Sequence, residues 1–279
     1  MSTAAAHQGL RSEGFDLREV FRELYRRSKV LTITGWIHVF LLAGLLVILP
    51  FDSRLVMGIN PWIKPSKFAA SIVIFVWTVA WLLEYPPLSS RARAIISRGI
   101  SISMLVEIVC IVTQAARGTT SHFNQSTPLN AVIFGVMGLT IVFSTVLMVA
   151  LLIYFSKGNF HIARPYLWGI RSGLAIFLIA SAIGGVMVAH KSHAVGVDDG
   201  GPGLPVVNWS TQGGDLRVAH FLGLHALQLM PIIGFLISMR TGWTTSRKTT
   251  LVVAVSAAYV VLVGFLFWRA MDGVPVLRM

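Results

Sequence analysis

Seven apolar stretches, roughly 30–50, 67–84, 95–116, 129–155, 166–189, 217–239 and 249–270, run through this 279-residue chain. Crossing the hydrocarbon core of a bilayer takes about 20 mostly apolar residues, and each stretch qualifies. Inside hydrocarbon the backbone must satisfy its own hydrogen bonds, so such a pattern predicts an all-α polytopic membrane bundle of seven transmembrane helices. Composition agrees, since 12% of the residues are charged and the mean hydropathy is +0.74, against about 25% charged residues in soluble domains. The expected organisation is an N-terminal amphipathic segment over 1–29, then a transmembrane domain over 30–279 with a long loop at about 190–216. Little chain remains for a soluble domain, and the inverted repeat that marks many transporters is not visible.

Orientation follows from the basic residues. Arg11, Arg18, Arg22, Arg26, Arg27 and Lys29 precede the first span, and Arg91, Arg93 and Arg98, then Lys157, Arg164 and Arg171, then Arg240, Arg247 and Lys248 fall at the same side of the bundle. The opposite side holds only Arg54, Lys64, Lys67, Arg117, Lys191, Arg217, Arg269 and Arg278. The positive-inside rule then gives N-in, C-out, in a multi-pass protein of the cell inner (plasma) membrane. The formal net charge of +12 reads as topology plus attraction to anionic lipid, so membrane lipid is the expected partner and nucleic acid is not. Two of the spans, 129–155 and 249–270, offer apolar faces to lipid, to a second copy or to a larger membrane complex.

The first apolar run spans the bilayer, so it reads as a retained anchor rather than a cleaved signal peptide. Ahead of it, Asp16-x-x-Glu19 has the form of a capping box, and Leu17, Val20, Phe21 and Leu24 repeat at helical spacing. That pattern suits a short helix lying on the inner interface. The single cysteine, Cys110, falls in mid-span and excludes an intramolecular disulfide.

Six of the eight histidines, His38, His122, His190, His193, His220 and His225, lie in or beside the spans. Ionisable groups near hydrocarbon are costly and mark candidate sites. The spans at 129–155 and 249–270 carry none in their apolar cores, so the first, third, fifth and sixth spans should ring a site that opens outward. At a rise of about 1.5 Å per residue, His38 lies about 12 Å into the first span, Glu107 about 18 Å along the third, and His225 about 12 Å into the sixth. All three sit near mid-membrane. Glu107, Cys110 and Gln114 share one stripe that continues to Arg117, with Gly118 as the expected C-cap. The long loop follows His190-Lys-Ser-His193, and Asp215 is the expected N-cap of the sixth span. His220 and His225 are about 140° apart around their helix and are not expected to share one ion. Asn60-Pro-Trp-Ile-Lys64-Pro-Ser-Lys67, before the second span, suits either anion attraction or ordinary interfacial anchoring by Trp62 and the lysines.

The string GDLRVAHFLGLHALQ at 214–228, with Arg117-Gly-Thr-Thr-Ser-His-Phe-Asn124, resembles segments of a family of bacterial multi-span membrane proteins that carries no assigned activity. The resemblance implies a shared fold and supplies no chemistry. Seven-helix zinc hydrolases of the ceramidase and adiponectin-receptor type resemble the chain in architecture alone, because their paired-histidine motif on the last helix is absent. A retinal protein is disfavoured, since the last span has no lysine.

Three readings follow. The first is a membrane oxidoreductase holding haem or a transition metal ion, with His38, His225 and Gln228 at the deeper, cofactor-binding level. In it His122, His190, His193 and His220 form an outer metal level, while Glu107 carries protons and Arg117 assists. The second is a zinc hydrolase using the outer histidines with Asp199 or Asp215 as base. The third is a proton-coupled transporter or channel, in which Glu107 and the histidines relay protons.

Overall fold

The computed structural model describes residues 16–278; residues 1–15 of the expected N-terminal segment lie outside the described residues. Eight α-helices follow in order: α1 (Leu17–Arg27), α2 (Lys29–Ile48), α3 (Ile63–Leu82), α4 (Ser90–Ala116), α5 (Pro128–Lys157), α6 (Arg164–His190), α7 (Leu216–Ser238) and α8 (Thr245–Met271). Seven of them, α2 to α8, are long and apolar enough to cross a membrane. This is the helical architecture of a multi-pass membrane protein. A two-residue antiparallel pair, β1 (Ala194–Val195) and β2 (Gly214–Asp215), closes the base of the long loop.

The amphipathic helix forms, but not through a reciprocal capping box. Asp16 caps α1 by accepting from the Arg18 amide at 2.8 Å, while Glu19 turns away to pair with Arg22. Ser28 both ends α1, its amide donating to the Leu24 carbonyl, and caps α2 through its side chain. The second span starts earlier than its apolar run, at Ile63. Pro65 sits in the first helical turn, where a missing N–H costs nothing, so Lys64 and Lys67 lie within α3 rather than ahead of it.

At the end of the bundle that carries α1, basic side chains dock on the helix ends that arrive there. Arg27 donates to the Trp81 carbonyl at 2.7 Å and Arg93 to Leu83 at 2.5 Å, both at the end of α3. Arg171 donates to Phe155 at the end of α5, and Lys248 to Ser238 at the end of α7. The last carbonyls of a helix have no partner within it and carry its negative dipole end, so a cation there satisfies both.

α3 and α4 are the most buried spans, and α5 and α8 the least. The main core joins Leu31, Val76, Val79, Ile100, Met148, Leu151, Phe155, Ile170 and Leu174. Leu139, Val142 and Val146 of α5 and Val261 and Trp268 of α8 face outward, as expected for scaffold helices. The closest pair is α6 with α7. A side chain at Gly169 would meet the Met230 carbonyl at 2.4 Å, and one at Gly173 the Ala226 carbonyl at 2.8 Å. Glycine lets these two backbones touch, the usual means of tight helix packing where lipid removes the hydrophobic drive.

The opposite end gathers the 52–62, 117–127, 191–215 and 272–278 segments. Arg54 reaches the Ala116 carbonyl at the end of α4, and Gly58 lies against Gly200. Gly214 lies against the Ala270 carbonyl, which ties the base of the long loop to α8.

Candidate functional site

α4 supplies the deepest acid. It ends in a Schellman motif, with the Thr119 amide on the Gln114 carbonyl and the Gly118 amide on Ala115, both at 3.0 Å, and Gly118 takes the left-handed conformation at φ 69°. The chain then doubles back over the helix end. His122, in the returning segment, comes down onto Glu107, which lies about two and a half turns below the helix terminus at Ala116.

Glu107 is 2% exposed. Its Oε1 lies 3.7 Å from Nε2 of His122, and Oε2 has no hydrogen-bond partner. On the other side of the imidazole, Nδ1 lies 3.1 Å from Nζ of Lys64 and 3.0 Å from Oγ of Ser121. Phe68, Phe123 and Phe134 surround the ring. Enclosure, then the charge of Lys64, holds His122 well below the ordinary imidazole range, so it is neutral at pH 7. A neutral ring accepting from the Lys64 ammonium at Nδ1 carries its proton on Nε2, facing the carboxyl group. Lysine, histidine and glutamate thus stand in line.

Further cations and acids surround this line. Lys67 donates to the Val207 carbonyl at 3.1 Å. Arg217 holds Asp215 through two nitrogens, at 2.9 Å and 2.6 Å, and also donates to the Asn208 carbonyl. Asp215 is also the N-cap of α7, as expected, accepting from the Arg217 amide. His193 lies 3.0 Å from Asp199. Burial, followed by the Arg217 charge, pushes His193 down to about 4, against the opposing pull of Asp199.

The expected histidines part company here. His122, His193 and His220 come within electrostatic reach of one another, while His190 is exposed at the end of α6. Nδ1 of His220 bonds to the Ala180 carbonyl of α6 at 2.7 Å. Among the described residues no group of three or more His, Cys, Asp and Glu side chains has the geometry to hold a metal ion. His38 is fully buried, with Nδ1 on the Thr34 carbonyl at 2.7 Å and Nε2 turned toward the Met104 carbonyl of α4 without a hydrogen-bond partner. His225 packs on Phe221 beside Gln228, whose amide donates to Thr78. No hydrogen bond, ion pair or ring contact joins His38 to His225. Arg117 does not reach Glu107; it bonds to Gln114 and Asn130 and braces the segment that carries His122.

Polar atoms continue below Glu107. Ser103, one turn earlier on the same side of α4, is 1% exposed with Oγ unpartnered, and Ser101 bonds to Thr34 of α2 at 2.6 Å. Buried polar atoms without partners are rare in folded proteins and mark places where water or a ligand enters. Sequence reasoning did not single out Lys64 as a partner of His122, nor Ser103 at all. An ionisable residue in the first turn of an otherwise apolar span was the available signal for Lys64.

Comparison with known proteins returns no match: no family model, no curated protein and no solved structure is significantly similar to this chain.

Proposed function

We propose that this is a proton-coupled membrane transporter or channel in which Glu107 binds and releases the proton. The Lys64–His122–Glu107 line carries this reading, at 3.1 Å and 3.7 Å. An acid beside a neutral imidazole can exchange a proton with it through a small movement or one water. The lysine at the far nitrogen fixes which tautomer faces the acid. In the N-in orientation expected from the basic residues, His122 opens outward, while Ser103, His38 and the Thr34–Ser101 pair lead from Glu107 toward the inner side. The haem, metal and zinc readings need donors that converge. His38 and His225 are held by separate partners and the loop histidines form no metal-holding group among the described residues, so proton handling is the reading we carry forward.

The test is proton flux. The purified protein is reconstituted into vesicles holding a pH-sensitive dye, in medium containing phosphate and succinate, and a pH gradient is imposed. Flux above protein-free vesicles, reduced tenfold or more by Glu107→Gln, is the expected result. Flux equal to protein-free vesicles, or unchanged by that substitution, overturns the reading.

A further inference from the structure

Lys64 and Lys67 differ from the other charged groups around them in having no carboxylate of their own. Arg217 is neutralised by Asp215 and Arg54 by Asp52, and His193 faces Asp199. Lys64 instead has a neutral imidazole nitrogen, and Lys67 a single backbone carbonyl. Each ammonium carries three donors and uses one. The two lysines are three residues apart on α3 and share a side of the helix, and Lys64, Lys67 and Arg217 lie within mutual electrostatic reach. Asp199 and Asp215 act on the lysines from farther off, but their oxygens are taken up by Ser192, the Ala194 amide, the Ser210 amide and Arg217.

The hairpin tip above them is held in an unfavourable shape. The Val207 amide bonds to the Pro205 carbonyl at 2.7 Å around Val206, a β-branched residue at φ 64°. That is the rare, strained form of a three-residue turn. Its carbonyls at Val207 and Asn208 are the ones that Lys67 and Arg217 hold. The Val207 carbonyl therefore occupies Lys67 in the place of a stronger acceptor, while the Asn208 carbonyl shares Arg217 with Asp215.

We propose that Lys64, Lys67 and Arg217 form a site for a small oxyanion, a carboxylate or phosphate group, which binds together with a proton on Glu107. This rests on the proton-coupled reading and names its co-substrate class. Ionised Glu107 is the nearest negative group acting on Lys64 from below; once protonated it leaves Lys64 unneutralised, and an anion takes that role. The anion displaces the Val207 and Asn208 carbonyls, so the strained tip lifts as the site fills. The groups facing Glu107 and the anion are Lys64 and Lys67 from α3, His122 from the α4–α5 segment, His193 and Asp199 from the long loop, and Asp215, Arg217 and His220 at the start of α7. Proton and anion bind with positive coupling, each raising the affinity for the other.

Binding of labelled succinate and of inorganic phosphate to the intact protein in nanodiscs, at pH 5.5 and 7.5, tests this. At least one probe is expected to bind tenfold or more tighter at the lower pH, with proton uptake seen in unbuffered solution. Lys67→Gln weakens binding tenfold or more, and Glu107→Gln abolishes the pH dependence. The wild-type pH comparison stands even where a variant does not fold. Discs of phosphatidylcholine with and without phosphatidylglycerol separate the sources, since a lipid headgroup in the site lowers probe binding only in the anionic discs. Absence of binding at both pH values in both discs, with Glu107-dependent proton flux intact, overturns the anion site and leaves the proton reading standing. Binding that is equal at both pH values and unchanged by Glu107→Gln overturns the coupling.

Discussion

Nε2 of His122 stands 3.7 Å from Oε1 of Glu107, although one residue belongs to a surface segment and the other to the middle of a span. If the two act in series, removing either breaks the same path. We expect His122→Leu and Glu107→Gln each to reduce proton flux in vesicles tenfold or more, and the double variant to be no slower than the worse single one. Independent effects that multiply in the double variant would separate the two residues. His122→Leu also leaves the Lys64 ammonium without its acceptor, at about 1–3 kcal/mol, so thermal stability must be read alongside flux.

His193 gives the long loop a pH dependence. Its folded-state value of about 4 lies below the ordinary 6.5, so folding favours the neutral ring. The contribution is complete above about pH 6.5 and is lost as pH falls toward 4. Hydrogen exchange of residues 192–215 should therefore accelerate between pH 6.5 and 4 after correction for intrinsic rates, and His193→Asn should flatten that dependence. A His193 resonance titrating near 6.5 would refute the assignment.

Close backbone packing predicts an asymmetry between two glycines. Gly169→Leu places atoms where the Met230 carbonyl stands and should destabilise by about 1–3 kcal/mol or more through forced separation of α6 and α7. Gly44→Ala on α2 meets nothing within 4 Å and should be neutral or stabilising by up to about 1 kcal/mol. Thermal unfolding in detergent compares them; similar losses at both sites would mean that α6 and α7 are not packed this closely.

Arg27 holds α1 to the bundle. Its guanidinium lies 3.9 Å over Trp81, donates to the Trp81 carbonyl and bonds to Glu23 at 2.7 Å. Lysine lacks the flat fork that makes these contacts together, so Arg27→Lys should weaken docking by about 1–2 kcal/mol, seen as faster proteolysis within 16–28. The bond from Arg26, with help from Arg27, pushes Glu23 down to about 2 from 4.5. Docking should accordingly hold above about pH 4.5 and loosen as pH falls toward 2. Proteolysis that stays constant over that range would count against this pairing.

The spans were legible because hydrocarbon imposes length and polarity on every one of them, and the caps at Asp215 and Gly118 because a helix end requires particular chemistry. What periodicity cannot carry is the path of the segment after Gly118, which folds back and lowers His122 onto Glu107. Depth along each helix placed His38 and Glu107 in the middle of the bundle, but which side chain faces which depends on rotations set by packing. The same holds for Arg27, Arg93, Arg171 and Lys248, whose count suggested an orientation while their positions on helix-end carbonyls became visible only in three dimensions. For Lys64 the sequence left anion attraction and interfacial anchoring both open, and its contact with His122 depends on the helix beginning at Ile63 with Pro65 inside its first turn.

The feet of the long loop are joined, Ala194 to Asp215 and Val195 to Gly214, so the stretch between them leaves and re-enters the bundle at one point. Its contour length is then uncoupled from the spacing of α6 and α7, and doubling a closed loop costs only about 0.6 kcal/mol. A reporter peptide spliced between Gly201 and Pro202, both exposed, would ride above the bundle as a handle, accessible from one face of the membrane, without pulling on the helices beneath.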